Sequence, residues 1–214
     1  MKKRQYVRIV AAGAVLMVLA GCGQSDGEGG AGEASALSEQ QMKTVVPDAK
    51  AVPGWEVLSG PAADTMEGDL KDSLCPEKEK QACEGARFVG TSRFREKKKA
   101  EIGFWAITYQ DEKAAEDAFD VHWDWYRKGL GKPASLDLGR VGEQRQAALG
   151  TSNYQGDKRA VAQVRLGTVI MWVSVDASRQ TGIDAALVKD LATVFAARAD
   201  EAEKGKPPAA ALDS

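Results

Sequence analysis

The chain is short of the side chains that most often carry chemistry. His122 is the single histidine in 214 residues, and there are three cysteines. A multi-histidine metal site is therefore excluded, and any Ser-His-Asp or Cys-His nucleophile would have to run through one imidazole. Positive charge is not in excess either: 29 Lys and Arg face 31 Asp and Glu, a formal charge of −2 that rules out a broadly cationic nucleic-acid binder. The apolar run at residues 9–20 reaches only about 18 Å as a helix, against a hydrocarbon core of about 30 Å, which disfavours a permanent membrane span. No motif specifies a reaction. The sequence leads to no catalytic residue, no metal and no cofactor, and the expectation is that the protein is not an enzyme.

Lys2, Lys3, Arg4 and Arg8 precede the apolar run, which stops at Gly21-Cys22. That is the layout of an export signal over residues 1–21. Leu19-Ala20-Gly21-Cys22 resembles the lipobox of bacterial lipoproteins, in which the cysteine is linked to diacylglycerol and becomes the first residue of the mature chain. The resemblance implies lipidation at Cys22 and a palmitate-type anchor holding the protein to the cell membrane on its extracytoplasmic face. Two acyl chains, at ~0.8 kcal/mol per buried CH₂, anchor stably where one is marginal. Loss of the four leading cations leaves 25 basic side chains against 31 acidic ones, a formal −6 that an anionic leaflet would not attract. After Cys22, residues 23–36 contain five glycines and no large apolar side chain. They cannot form a core and read as a flexible tether with a reach of roughly 20 Å.

Cys75 and Cys83 remain as a pair in an exported chain, where thiols oxidise. Their C-x7-C spacing is wrong for a CxxC redox motif and lacks zinc partners, so a structural disulfide is expected, worth ~2.5 kcal/mol in the chain-entropy model.

One globular domain is expected over residues 37–204. Ser38 reads as an N-cap with Gln41 completing a capping box, and Pro47 stops that helix. Pro53-Gly54 turns into a short extended segment at residues 55–58. Residues 87–95 and 101–109 alternate at period two and form a hairpin around the charged loop 96–100. Lys97, Lys98 and Lys99 at its tip read as a solvated turn that discourages edge pairing. A helix is expected over residues 111–130, with Ala115, Phe119, His122 and Tyr126 inward and His122 packed on an apolar stripe rather than catalytic. A Gly- and Pro-containing loop then leads to strands at 147–154, 159–166 and 169–176 and a helix at 183–203 whose inward side ends in Arg198. Residues 205–214 read as a disordered tail. Hairpins interrupted by helices, without a βαβ rhythm, predict an α+β fold: an antiparallel sheet of five to six strands with helices packed mainly on one face.

Pairing Phe94 with Ile102 puts Phe88, Phe94, Ile102, Phe104 and Ala106 on one sheet face, with Ala160, Ala162, Val164, Leu166, Val169, Met171, Val173 and Val175. The other face then carries Arg87, Arg93, Trp105, Tyr109, Gln163, Arg165 and Trp172, besides Arg95 and Arg159. Indoles beside guanidiniums can form a recognition surface for a carboxylate or phosphate ligand, or for a partner. Alternatively the segment around Trp55 covers the tryptophans and the arginines snorkel into solvent.

Pro53-Gly54-Trp55, the Tyr109-Gln110-Asp111 entry to a helix carrying Ala114, Ala118 and Phe119, and Val164-Arg165-Leu166-Gly167 before an apolar strand run along most of residues 37–200. In these features the chain resembles actinobacterial envelope lipoproteins and the related PknH-like extracellular sensor domain. The resemblance implies a compact α+β domain of PsbP-like architecture that binds an unknown envelope ligand or protein outside the membrane. The function expected is a lipid-anchored binding or regulatory, sensor-like module of the cell envelope. A structural accessory protein docking to a membrane or cell-wall complex is the alternative, and an envelope hydrolase a more distant one.

Overall fold

The structure, a computed structural model, describes residues 36–75, 82–96, 100–152 and 157–213. Residues 1–35 with Cys22, the Lys97–Lys99 turn and most of the Cys75–Cys83 loop lie outside the described residues. No helix among the described residues is long and apolar enough to cross a membrane.

Seven strands form one antiparallel sheet: β1 (Glu56–Thr65), β2 (Ala86–Glu96), β3 (Ala100–Tyr109), β4 (Leu130–Ser135), β5 (Gln144–Ser152), β6 (Lys158–Leu166) and β7 (Val169–Ala177). Their order across the sheet is β1-β2-β3-β7-β6-β5-β4. Four helices accompany them: α1 (Glu39–Val45), α2 (Gly68–Leu74), α3 (Glu112–Lys128) and α4 (Ala185–Glu203). The α+β class and the antiparallel sheet agree with the sequence reading; the strand count does not. The additional strand β4, and most of the length of β1, were hidden by Pro133 with Gly131 and by Pro61 with Gly60. A proline and a register shift are tolerable because both are edge strands: the pairing of β1 shifts between Ser59 and Ala62, and that of β4 between Gly131 and Ala134. α2 was also missed; it has no buried residue and no side-chain N-cap, so neither periodicity nor capping announces it.

The hairpin register is as expected, with Phe94 opposite Ile102 and Arg95 opposite Glu101. Because side chains alternate across a strand, one sheet face collects Phe94, Ile102, Phe104, Ala162, Met171 and Val173. On that face lie α4, through Val188, Leu191 and Phe195, and α1, through Met42 and Val45. The expectation of helices mainly on one face is corrected here. The opposite face has its own core, in which Ala115, Ala118, Phe119 and Trp123 of α3 meet Ile107, Tyr109, Val161, Ile170 and Trp172. A sheet whose central strands are apolar on both sides needs two covers. β6 shows this directly, with burial running unbroken from Ala160 to Arg165.

Ser38 caps α1 as expected, its hydroxyl accepting from Gln41 N while Gln41 Oε1 accepts from Ser38 N. Residues 205–213, expected to be disordered, are instead fastened to the domain. Glu201 accepts from the backbone N–H groups of Ala209 and Ala210, and Leu212 N donates to Ala51 O at 2.9 Å. Backbone hydrogen bonds, invisible to composition, hold this proline- and alanine-rich stretch. The disulfide between Cys75 and Cys83 is present, with a Cα separation of 5.9 Å, and both cysteines pack in the α3 core.

α1 reaches β2 so closely that a Cβ on Gly90 would meet Met42 and Val46. Gly90→Val should therefore destabilise the domain by about 1–3 kcal/mol through overpacking, although valine favours strands. Chemical denaturation of the variant checks this; an unchanged or raised midpoint would mean that α1 moves freely on the sheet.

Candidate functional site

Six of the seven residues expected to share a face alternate onto the α3 side of the sheet; Arg87 falls at the register shift between Ala86 and Phe88, which puts Ala86 opposite Tyr109, and the seven do not form one site. Trp105, Trp172 and Gln163 stand in a row, since Trp105 is opposite Trp172 and Trp172 opposite Gln163 in the strand register. α3 covers part of this row and leaves part of it open. Trp172 and Gln163 lie beneath the helix, at 1% and 0% exposure, while Trp105 is only partly buried.

Under α3 the polar atoms are fully used. Trp172 Nε1 donates to Gln163 Oε1 at 2.6 Å, and Gln163 Nε2 donates to Phe119 O on the helix at 2.6 Å. The rings of His122 and Tyr126 pack on Trp172 with centroids at 4.9 and 5.5 Å. It is α3 that covers Trp172, not the Trp55 segment; Trp55 packs against the core of the opposite face.

Tyr109 is likewise interior. Its hydroxyl donates to Ala82 O at 2.7 Å and lies 2.8 Å from His122 Nε2, which is itself 2.9 Å from Ala82 O. The tautomer with a proton on Nε2 satisfies all three atoms, because Ala82 O then accepts from both rings. Burial pushes His122 down to about 4, the bond to the Ala82 carbonyl opposing this, and burial raises Tyr109 well above its ordinary value. The neutral imidazole sits between the Tyr109 phenol and the Ala82 carbonyl. Through Ala82, beside Cys83, His122 links the disulfide to the sheet.

Arg165 is 9% exposed and engaged by its own surroundings: it donates to Gly167 O and to Gln144 Oε1 and pairs with Glu143 at 2.6 Å. Arg87 is exposed at the other end of β2, beside Met66, Glu67 and Lys71.

What remains accessible is the part of the sheet that α3 leaves open. Its floor is Trp105, lying over Gly103. A Cβ at Gly103 would intrude on the six-membered ring of Trp105, so the missing side chain is what lets the indole lie along the strand. Arg93, paired with Glu101 at 3.0 Å, borders it on one side, and Arg159, paired with Asp176 at 2.5 Å, on the other. Thr91 and Ser174 are partly exposed beside it. Trp125, 40% exposed, stands on α3 one turn beyond His122, with its ring 4.8 Å from Tyr126. The site is an aromatic surface ringed by charge pairs and hydroxyls. Arg93 and Trp105 were identified from the sequence. Gly103 and Trp125 were missed; the glycine interrupting an otherwise bulky strand was the available signal.

No family model matches the sequence, and no curated protein does. Among solved structures, the extracellular domain of PknH from Mycobacterium tuberculosis is similar, with a TM-score of 0.50 at 10% identity, over 75% of this chain and 96% of that one. The chain shares that fold. At this identity the likeness is one of architecture, and no PknH-domain residue transfers to it.

The acid dependence of stability should expose the buried imidazole. A histidine whose folded value lies near 4, below its usual 6.5, takes up a proton on unfolding. Its contribution is complete above pH 6.5 and is lost as pH falls toward 4, about 3 kcal/mol in all. Glu203, raised to about 7 by burial, acts in the opposite sense, losing its contribution as pH rises from 4.5 through 7. Subtracting the pH–stability profile of His122→Gln from that of the parent chain isolates the imidazole. The difference should shrink steadily from pH 7 to pH 4, and a flat difference would place His122 in water.

Proposed function

We propose that the protein is a lipid-anchored, extracytoplasmic binding module of the cell envelope, sensor-like in the sense that recognition rather than catalysis is its task. The surface it uses is the open sheet floor around Trp105. The observation that carries this reading is the indole lying over a side-chain-free strand position while the neighbouring arginines stay at the surface in carboxylate pairs. An aromatic side chain with apolar area available supplies binding energy, and flanking guanidiniums and hydroxyls supply direction. The fold shared with an extracellular domain is consistent with this placement. A scaffold role is favoured by one separate feature: Val57 and Leu58 are exposed to 43% and 38% on edge strand β1, where another protein could pair.

Two experiments test the reading. Cys22→Ser should abolish lipidation and, in chains still cleaved after Gly21, release the protein from the membrane fraction; a variant cleaved there and still firmly bound to the membrane would contradict the anchor. Material that co-purifies with the detergent-extracted protein should be lost on Trp105→Ala, by about 1–3 kcal/mol in affinity, and retained on Arg87→Ala. Loss only with Val57→Asp and Leu58→Asp would move recognition to the edge strand.

A further inference from the structure

The sequence places Arg198 at the edge of the inward side of α4. It is 5% exposed, packed where α4 passes the end of α1. Burying a guanidinium is costly unless charge and hydrogen-bonding capacity are both met, and here only part of the second is. Nε donates to Val45 O at 3.0 Å, Nη2 to Thr44 O at 2.8 Å and Nη1 to Ala210 O at 3.2 Å. All three acceptors are neutral carbonyls. Among the described residues no carboxylate reaches ion-pair distance of this guanidinium. Asp48 and Glu201 are near enough to favour its charge, while one oxygen of each accepts from backbone N–H groups, Asp48 Oδ1 from Ala51 and Glu201 Oε2 from Ala209 and Ala210. Three of five donors are used, leaving one N–H on each terminal nitrogen.

Beside Arg198 lies an open groove of about 610 Å³ between α1, the bulged middle of β1 and the fastened C-terminal stretch. Its walls are mostly apolar, with Val46, Pro61, Pro207 and Pro208 among them, and Lys43 and Lys206 also line it. Holding the end of α1 accounts for the bonds to Thr44 and Val45. It does not require a cavity at the guanidinium, nor two further cations along that cavity. Three cations against Asp48 and Glu201 leave one net positive charge, which matches a monoanion better than a phosphate carrying nearly two. A planar fork of two N–H groups suits a carboxylate in the same way.

We propose that this groove is a binding site for a small organic acid: a single carboxylate seated on Arg198 and an apolar body lying along the prolines, with Lys43 and Lys206 drawing the anion in. The site is separate from the Trp105 floor. It depends on the C-terminal stretch, which supplies one wall, so a chain ending before residue 205 would lack it.

Saturation-transfer NMR and calorimetry on the purified whole chain test this with 4-phenylbutyrate, its alcohol 4-phenylbutanol and inorganic phosphate as probes. The acid should bind saturably, with the alcohol and phosphate each at least tenfold weaker. Lys43→Glu combined with Lys206→Glu changes only exposed positions; it should weaken the acid at least tenfold and leave the melting temperature near that of the parent. Arg198→Lys keeps the charge and removes the fork, and should weaken the acid further. If that variant unfolds, the double lysine reversal decides. The proposal is overturned by no saturable binding of the acid, by equal binding of acid and alcohol, by tighter binding of phosphate, or by unchanged affinity in the lysine double variant. Trp105→Ala should leave acid binding intact, so failure at one site is distinguishable from failure at the other.

Discussion

A single buried amide governs the arrangement of the α3 side of the sheet. Gln163 has no exposed surface, and its two ends join Trp172 on the neighbouring strand to the Phe119 carbonyl on α3. An unsatisfied amide there would cost on the order of 1–3 kcal/mol, so the helix must cross the sheet where both bonds can form. Gln146 repeats the device one strand out, donating to Asp120 at 2.9 Å. With α3 so placed, His122 comes against Trp172 and reaches the Ala82 carbonyl. Ala82, beside the disulfide, is thereby held at the Tyr109 hydroxyl.

The same placement creates the open floor. A helix of 17 residues cannot cover the whole of a seven-stranded sheet. Trp172 goes under and Trp105, its partner in register, remains half out. Identical side chains in adjacent strands therefore have different physical roles. One is a core residue whose indole N–H needs an internal acceptor; the other presents apolar area at the surface beside the Arg93–Glu101 pair, which is exposed and worth little to stability.

On the opposite face the cover is assembled from the two ends of the described domain. α1 comes from its beginning and α4 with the stretch after Gly205 from its end, and Arg198 binds both through carbonyls of Thr44, Val45 and Ala210. The buried cation substitutes for apolar contact at a junction formed by chain segments more than 150 residues apart. This junction is where the domain combines buried charge with a cavity.

The sequence by itself determined what depends on local pattern. The capping box at Ser38 and the 3.6-residue stripe of α3 are set by residues within a few positions of one another. So is the Phe94–Ile102 hairpin register, and the Cys75–Cys83 pair was evident by elimination; all are found as expected. Alternation also assigned Trp105, Gln163 and Trp172 to their face correctly, and failed at Arg87, where the pairing of β2 shifts register. What alternation cannot say is what lies on that face, because the path of α3 is fixed by contacts between residues such as Phe119 and Gln163, 44 positions apart. Tertiary structure alone decided that helices cover both faces and that Pro61 and Pro133 sit in bulged edge strands. It also decided that the proline-rich end is fastened by Glu201 and that the guanidinium of Arg198 meets the carbonyls of Val45, Thr44 and Ala210. In each case composition registers only the residue type, whereas the outcome depends on a hydrogen-bond partner or covering element supplied from elsewhere in the chain.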